Sequence, residues 1–126
     1  MRFKFNKKDK LKSKKQIEYL FENGKSIMAY PLLLKYCKAE FNDDAIVKTA
    51  VSVGKKQHKK AVDRNSIKRL IREVFRLNKP FYFNNLKTQY ALMILYIGTE
   101  IPVFSSLNNS MKGLLEKFKT KIYEQD

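Results

Sequence analysis

Between residues 61 and 77 the sequence AVDRNSIKRLIREVFRL sets Ile67, Leu70, Ile71, Val74 and Leu77 at helical spacing, with cations at many of the positions between. At about 100° per residue the apolar set covers one side, while Arg64, Lys68, Arg69, Arg72 and Arg76 fall within an arc of roughly 140° on the other. Such a helix has to dock its apolar side on a sheet and leave its cationic side outside. It is expected to start near Val62 or Asp63, with Asp63 as N-cap or as complement to the helix dipole. It is expected to end near Asn78, because Pro80 disfavours helical geometry at the residue before it.

The flanking sequence supplies the layers. Ser13 followed by Gln16 looks like a capping box, and Ile17, Leu20 and Phe21 recur at helical spacing until Asn23-Gly24, which predicts a helix over 13–23. Residues 30–41, YPLLLKYCKAEF, suit a strand, and the NDD turn at 42–44 leads into AIVKTAVSV, so a hairpin is expected. In its second strand Val47, Thr49, Val51 and Val53 point one way and Lys48, Ala50 and Ser52 the other, one face packed and the other shallow. A third strand is expected at about 90–97. A last helix opens near Ser105 or Ser106 and carries Leu107, Met111, Leu114, Leu115, Phe118 and Ile122 on one stripe. Residues 1–12 read as a basic arm and 13–126 as a single domain.

Charge narrows the function. The chain has 27 Lys and Arg against 12 Asp and Glu, a net +15, a field that attracts a polyanion and holds it by releasing counterions. The longest apolar run, YALMILYI, is far short of the roughly 20 residues that span a bilayer, so no membrane partner is expected. No apolar run follows the basic N-terminus, so no export segment is expected, and the lone Cys37 fits a cytoplasmic location. On the basic helix, like charges at Arg64/Lys68, Lys68/Arg72 and Arg72/Arg76 repel by a few tenths of a kcal/mol per pair. An anionic partner would offset that cost. Asn65 lies within the same arc, where its amide can donate to and accept from a sugar or base edge.

The run AVDRNSIKRLIREVFR, preceded by VSVGKK, resembles the RNR signature of the bacterial ribonuclease P protein subunit, and LFENGKS at 20–26 is similar to the end of that family's first helix. The resemblance covers about residues 10–122. It implies a small α/β (α+β) two-layer sandwich of the kind in the second domain of ribosomal protein S5, a mixed sheet with elements in the order α-β-β-α-β-α and a left-handed βαβ crossover. It also implies a role in removing the 5′ leader of precursor tRNA, as accessory to a catalytic RNA that uses Mg2+.

On that resemblance Arg64, Asn65, Lys68, Arg69, Arg72 and Arg76 meet ribonuclease P RNA, with Lys55, Lys56, Lys59 and Lys60 extending the patch and Glu73 orienting neighbouring arginines. A cleft between the first helix and the sheet, with Ile17, Phe21, Lys35, Tyr36, Lys48, Ala50 and Ser52, is expected to hold the leader. Ile17 and Lys35 stand where the family commonly has aromatics. No protein oligomer is implied, and no cofactor is expected on the protein itself.

Catalysis by the chain alone has thin support. Asp43 and Asp44 sit in a turn, Asp63 and Glu73 are about three helical turns apart, and His58 has no visible carboxylate or cysteine partner. VSVGKKQHKK lacks the spacing of a phosphate-binding loop. A structural RNA-binding protein, an autonomous nuclease and a DNA-binding helix remain the rival readings.

Overall fold

The computed structural model describes residues 9–83 and 86–124. Helix α1 (Lys14–Asn23) opens where the Ser13 hydroxyl accepts from the Gln16 N–H (3.3 Å) and closes where Gly24 N–H donates to the Leu20 carbonyl. Strands β1 (Lys25–Ala29) and β2 (Leu32–Lys38) follow, joined across a cis Tyr30-Pro31 peptide. Then come β3 (Val47–Val53), α2 (Ala61–Tyr82), β4 (Tyr90–Tyr96) and α3 (Phe104–Glu124). The four strands form one mixed sheet in the order β1-β2-β4-β3, antiparallel except for the β3/β4 pair.

The expected hairpin of residues 30–53 does not form. Strand β2 instead pairs back with β1, a five-residue segment that burial alone would not mark, since only Ile27 is buried in it. Between β2 and β3 lies β4. Its sequence YALMILY is buried at every position but Leu95, and a strand apolar on both sides belongs in the interior of a sheet. The β3–α2–β4 connection delivers it there, parallel to β3.

Helices α2 and α3 cover one face of this sheet. Ile67, Ile71, Val74 and Phe75 from α2 and Leu107, Met111, Leu114, Leu115, Phe118 and Ile122 from α3 close over Leu34, Leu92, Ile94 and Val47. Phe118 is the hub, with Tyr36, Tyr90 and Phe83 rings at 5.0, 5.4 and 5.9 Å, each edge-on. The stripe expected on α3 is therefore buried in full. On α2 the apolar arc is shifted: Leu77 is 40% exposed, and Phe75 and Asn78 are buried in its place. The Asn78 amide is satisfied there, donating to the Val74 carbonyl (2.7 Å) and to Asn108 Oδ1 of α3 (2.8 Å).

Both ends of α2 lie outside the expected limits. Lys60 is the N-cap, which leaves Asp63 in the first turn to complement the dipole. At the other end Pro80 sits within the last turn, where it forgoes one backbone donor. The helix continues because Phe83 packs against Phe75 and Phe118 while its N–H donates to the Lys79 carbonyl.

The opposite face carries α1 alone. Leu20 and Ile17 pack on Ala91 and Met93, with Leu11, Cys37, Phe41 and Ala50 around them. Of the arm expected over 1–12, residues 1–8 lie outside the described residues. Lys10 bridges to Thr49, Leu11 N–H donates to the Thr49 carbonyl (3.1 Å), and Asp9 pairs with Lys79 (2.9 Å), so residues 9–11 line the outer edge of β3.

Candidate nucleic-acid interface

Two surfaces collect the residues that the sequence marked. The first is the outer face of α2 with the loop that leads into it. Asn65, Lys68, Arg69 and Arg72, with Glu73 and Arg76, line a shallow depression. Arg76 is hydrogen-bonded to Glu73 (Nε to Oε2, 3.2 Å), which holds its guanidinium still more firmly protonated. Among the described residues Lys68, Arg69 and Arg72 have no carboxylate within salt-bridge distance. Three unneutralised cations within five residues of one helix face are an electrostatic footprint for phosphates.

The loop cations Lys55, Lys56, Lys59 and Lys60 are all exposed, and they are held beside α2 by two residues with other work. His58 is 5% exposed; its Nε2 lies 2.9 Å from the Gly98 carbonyl, so this nitrogen carries the proton and donates. Arg64 donates through Nη1 to the carbonyls of His58 (2.9 Å) and Lys59 (2.8 Å). Arg64 is thus partly a structural residue. Glycine at 98 lets this segment lie against Tyr96 and Pro31, since a Cβ there would stand 2.6 Å from the Tyr96 hydroxyl and 2.9 Å from Pro31 Cβ. The role of His58 had no signal in sequence beyond its being the sole histidine.

The second surface is the groove beside α1. Phe21 is 49% exposed, and the Lys35 ammonium lies 5.4 Å from its ring centre while donating to the Phe21 carbonyl (3.1 Å). Across the sheet, Lys48 stands 5.2 Å from the Phe41 ring centre and pairs with Asp43 (2.9 Å). Lys35 aligns with Met93 and Met93 with Ala50, so the row spans two strand spacings, about 10 Å. Ala50 and Ser52, small and half-buried, keep that strip of β3 low. Ile17 is half-buried and packs in the floor of this side.

Tyr36 does not belong to the groove. Neighbouring residues of a strand point to opposite faces, and Tyr36, next to Lys35, is 3% exposed against Phe118 and Tyr90 beneath α3. Phe41, expected only as the end of a strand, takes a place at the groove instead. It is oriented by Gln89, whose Oε1 accepts from the Phe41 N–H (2.8 Å) and whose amide donates to the carbonyls of Asp43 and Ala45. Cys37 is half-buried in the same region, and burial pushes its thiol pKa up.

Among the described residues the carboxylates do not form a site for a resident magnesium ion. Asp9, Asp43 and Glu73 are each engaged by a cation, and among the described residues no three His, Cys, Asp or Glu side chains come together as a metal-holding group. No helix among the described residues is long and apolar enough to cross a membrane.

The sequence model of the Ribonuclease P family matches residues 5–119. The chain belongs to the ribonuclease P protein family. It is 33% identical to the ribonuclease P protein component of Porphyromonas gingivalis over 116 residues, covering 90% of this chain and 85% of that one. It is 40% identical over 89 residues to the component from Clostridium botulinum strain 657, covering 71% and 74%. In fold it is similar to the ribonuclease P protein of Staphylococcus aureus, with a TM-score of 0.71 at 21% identity over 88% of this chain and 95% of that one. The Thermotoga maritima protein gives 0.69 at 22% identity, covering 86% and 96%. Family members are components of a tRNA-processing endoribonuclease, and the element order α-β-β-β-α-β-α, with its additional strand β1, matches their structures.

Proposed function

We propose that this chain is the protein subunit that binds ribonuclease P RNA through the outer face of α2 and holds the 5′ leader of precursor tRNA in the groove beside α1. The observation that carries the reading is the row of unneutralised cations Lys68, Arg69 and Arg72 beside exposed Asn65. Lys68, Arg69 and Arg72, extended by Lys55, Lys56, Lys59 and Lys60, take phosphates of the RNA subunit and release condensed counterions. Arg64 and His58 shape the loop that presents the lysines. Arg76, tied to Glu73, borders the patch.

In the groove, Phe21 and Phe41 offer ring surface to unstacked bases, and Lys35 and Lys48 place positive charge at either side for the leader's phosphates. The protein's contribution is to screen phosphate repulsion and to fix the substrate's position. The bond-breaking chemistry and its Mg2+ belong to the RNA subunit in this reading.

The test is cleavage of precursor tRNA at low magnesium by the protein alone, a bacterial ribonuclease P RNA alone, and the two together. Efficient cutting at the mature 5′ end only in the mixture is the expected result. A mixture no better than the RNA alone, with tight binding retained, would transfer the basic helix to another structured RNA.

A further inference from the structure

Next to the cationic depression, and sharing Arg69 and Glu73 with it, lies a second groove of about 390 Å³ between α2 and the connection that precedes α3. Its character is different. Leu70 and Ser66, with the edge of buried Ile67, form the α2 side and Ile101 and Pro102 the other, so the walls are largely aliphatic, and Arg69 and Glu73 border them. Ile101 is 56% exposed. Single exposed apolar side chains are ordinary on a protein surface, but this one lines a concavity bordered by cations.

The wall that carries Ile101 is pinned. His58 holds the Gly98 carbonyl, the Tyr96 hydroxyl donates to the Glu100 carbonyl (2.6 Å), and Ser106 Oγ donates to the Val103 carbonyl (3.2 Å). A concave, aliphatic slot on a fixed loop is ready for a flat apolar group without an ordering cost.

We propose that this groove takes one unpaired nucleobase of the RNA whose phosphates lie on Lys68, Arg69 and Arg72. The proposal rests on the RNA-binding reading above and deepens it. Charge complementarity selects the occupant: a ligand that satisfies the adjoining row of cations is a polyanion, and nucleic acid is the polyanion that also carries flat apolar groups at each repeat. Bases of single-stranded RNA loops and bulges splay out and stack on apolar and guanidinium surfaces in this way.

Two variants of the full chain test this. Ile101→Ser should leave the thermal melt unchanged, since the side chain is more than half exposed. It should weaken binding to a bacterial ribonuclease P RNA by roughly 5- to 150-fold, the equivalent of one stacked base, with the same dependence on salt as wild type. Ile101→Trp introduces the chain's sole tryptophan, and its emission should be quenched when the RNA binds. Base-by-base chemical probing should show one base that the wild type protects and Ile101→Ser does not.

Equal affinity for wild type and Ile101→Ser, with unchanged Ile101→Trp emission, would overturn the proposal and leave the groove to a protein partner. A wild type that does not bind the RNA, or binds it without steep salt dependence, is a separate result: it removes the phosphate-binding reading of the α2 cations and this proposal with it.

Discussion

On the α2/α3 face of the sheet, Leu34, Leu92 and Ile94 lie fully sealed beneath Phe75, Phe118 and Leu114. On the α1 face, one residue along the same strands, Lys35 and Leu95 are only half-buried, and so are Lys48, Ala50 and Ser52 of β3. Two long helices cover the first face and one ten-residue helix crosses the second. Most of the apolar burial lies on the first face. The second can therefore leave Phe21 and a strip of β3 uncovered, where ligand contact is possible.

Substitutions can break or sharpen this contrast, and the largest effect is expected on the sealed face. Phe118→Ala removes the hub of an aromatic cluster and should cost about 3–5 kcal/mol of stability in urea unfolding, without altering leader affinity per folded molecule. Phe21→Ala should do the reverse. Its unfolding free energy should fall by less than about 1 kcal/mol, while affinity for a labelled leader falls by roughly 1–3 kcal/mol in anisotropy titrations. Should Phe21→Ala instead lower the melting temperature as Phe118→Ala does, the ring is core and the two faces are not different in kind.

A finer comparison separates two arginines that look alike in sequence. Arg69→Ala should reduce the slope of log affinity against log salt by roughly 0.7–0.9, one phosphate's worth, at an unchanged melting temperature. Arg64→Ala should also lower the melting temperature, because the carbonyls of His58 and Lys59 lose their donor. The smallest effect expected is at Cys37: with its pKa raised by burial, alkylation at pH 8 should run more slowly than for free cysteine, because less thiolate is present.

The same difference between local and distant contacts separates the residues that were legible in the sequence from those that were not. Every member of the α3 stripe is buried as expected, because helical periodicity is a local property that a single apolar face has to obey. The cationic arc of α2 is likewise outside, as its spacing requires. Tyr36 was expected in the cleft with Lys35, although strand alternation turns neighbouring residues to opposite faces and sets it against Phe118 and Tyr90. His58, Gln89 and Phe41 carried no local signal at all. Their roles depend on Gly98, on the carbonyls of Asp43 and Ala45, and on Lys48, partners that only chain folding brings near.

What the sequence determined by itself is the set of faces: the inward stripe of α3, the side of β3 that is shallow, and where unbalanced positive charge must stand. Those follow from spacings of two and 3.6 residues and from net charge. Tertiary structure decided the strand order, with β4 between β2 and β3 and β1 as the hairpin partner of β2. It also decided which cations are tied to carbonyls or carboxylates and which are left for phosphates. Pairing between strands is set by contacts distant in sequence, where many registers satisfy the same local pattern and only the packed whole selects one.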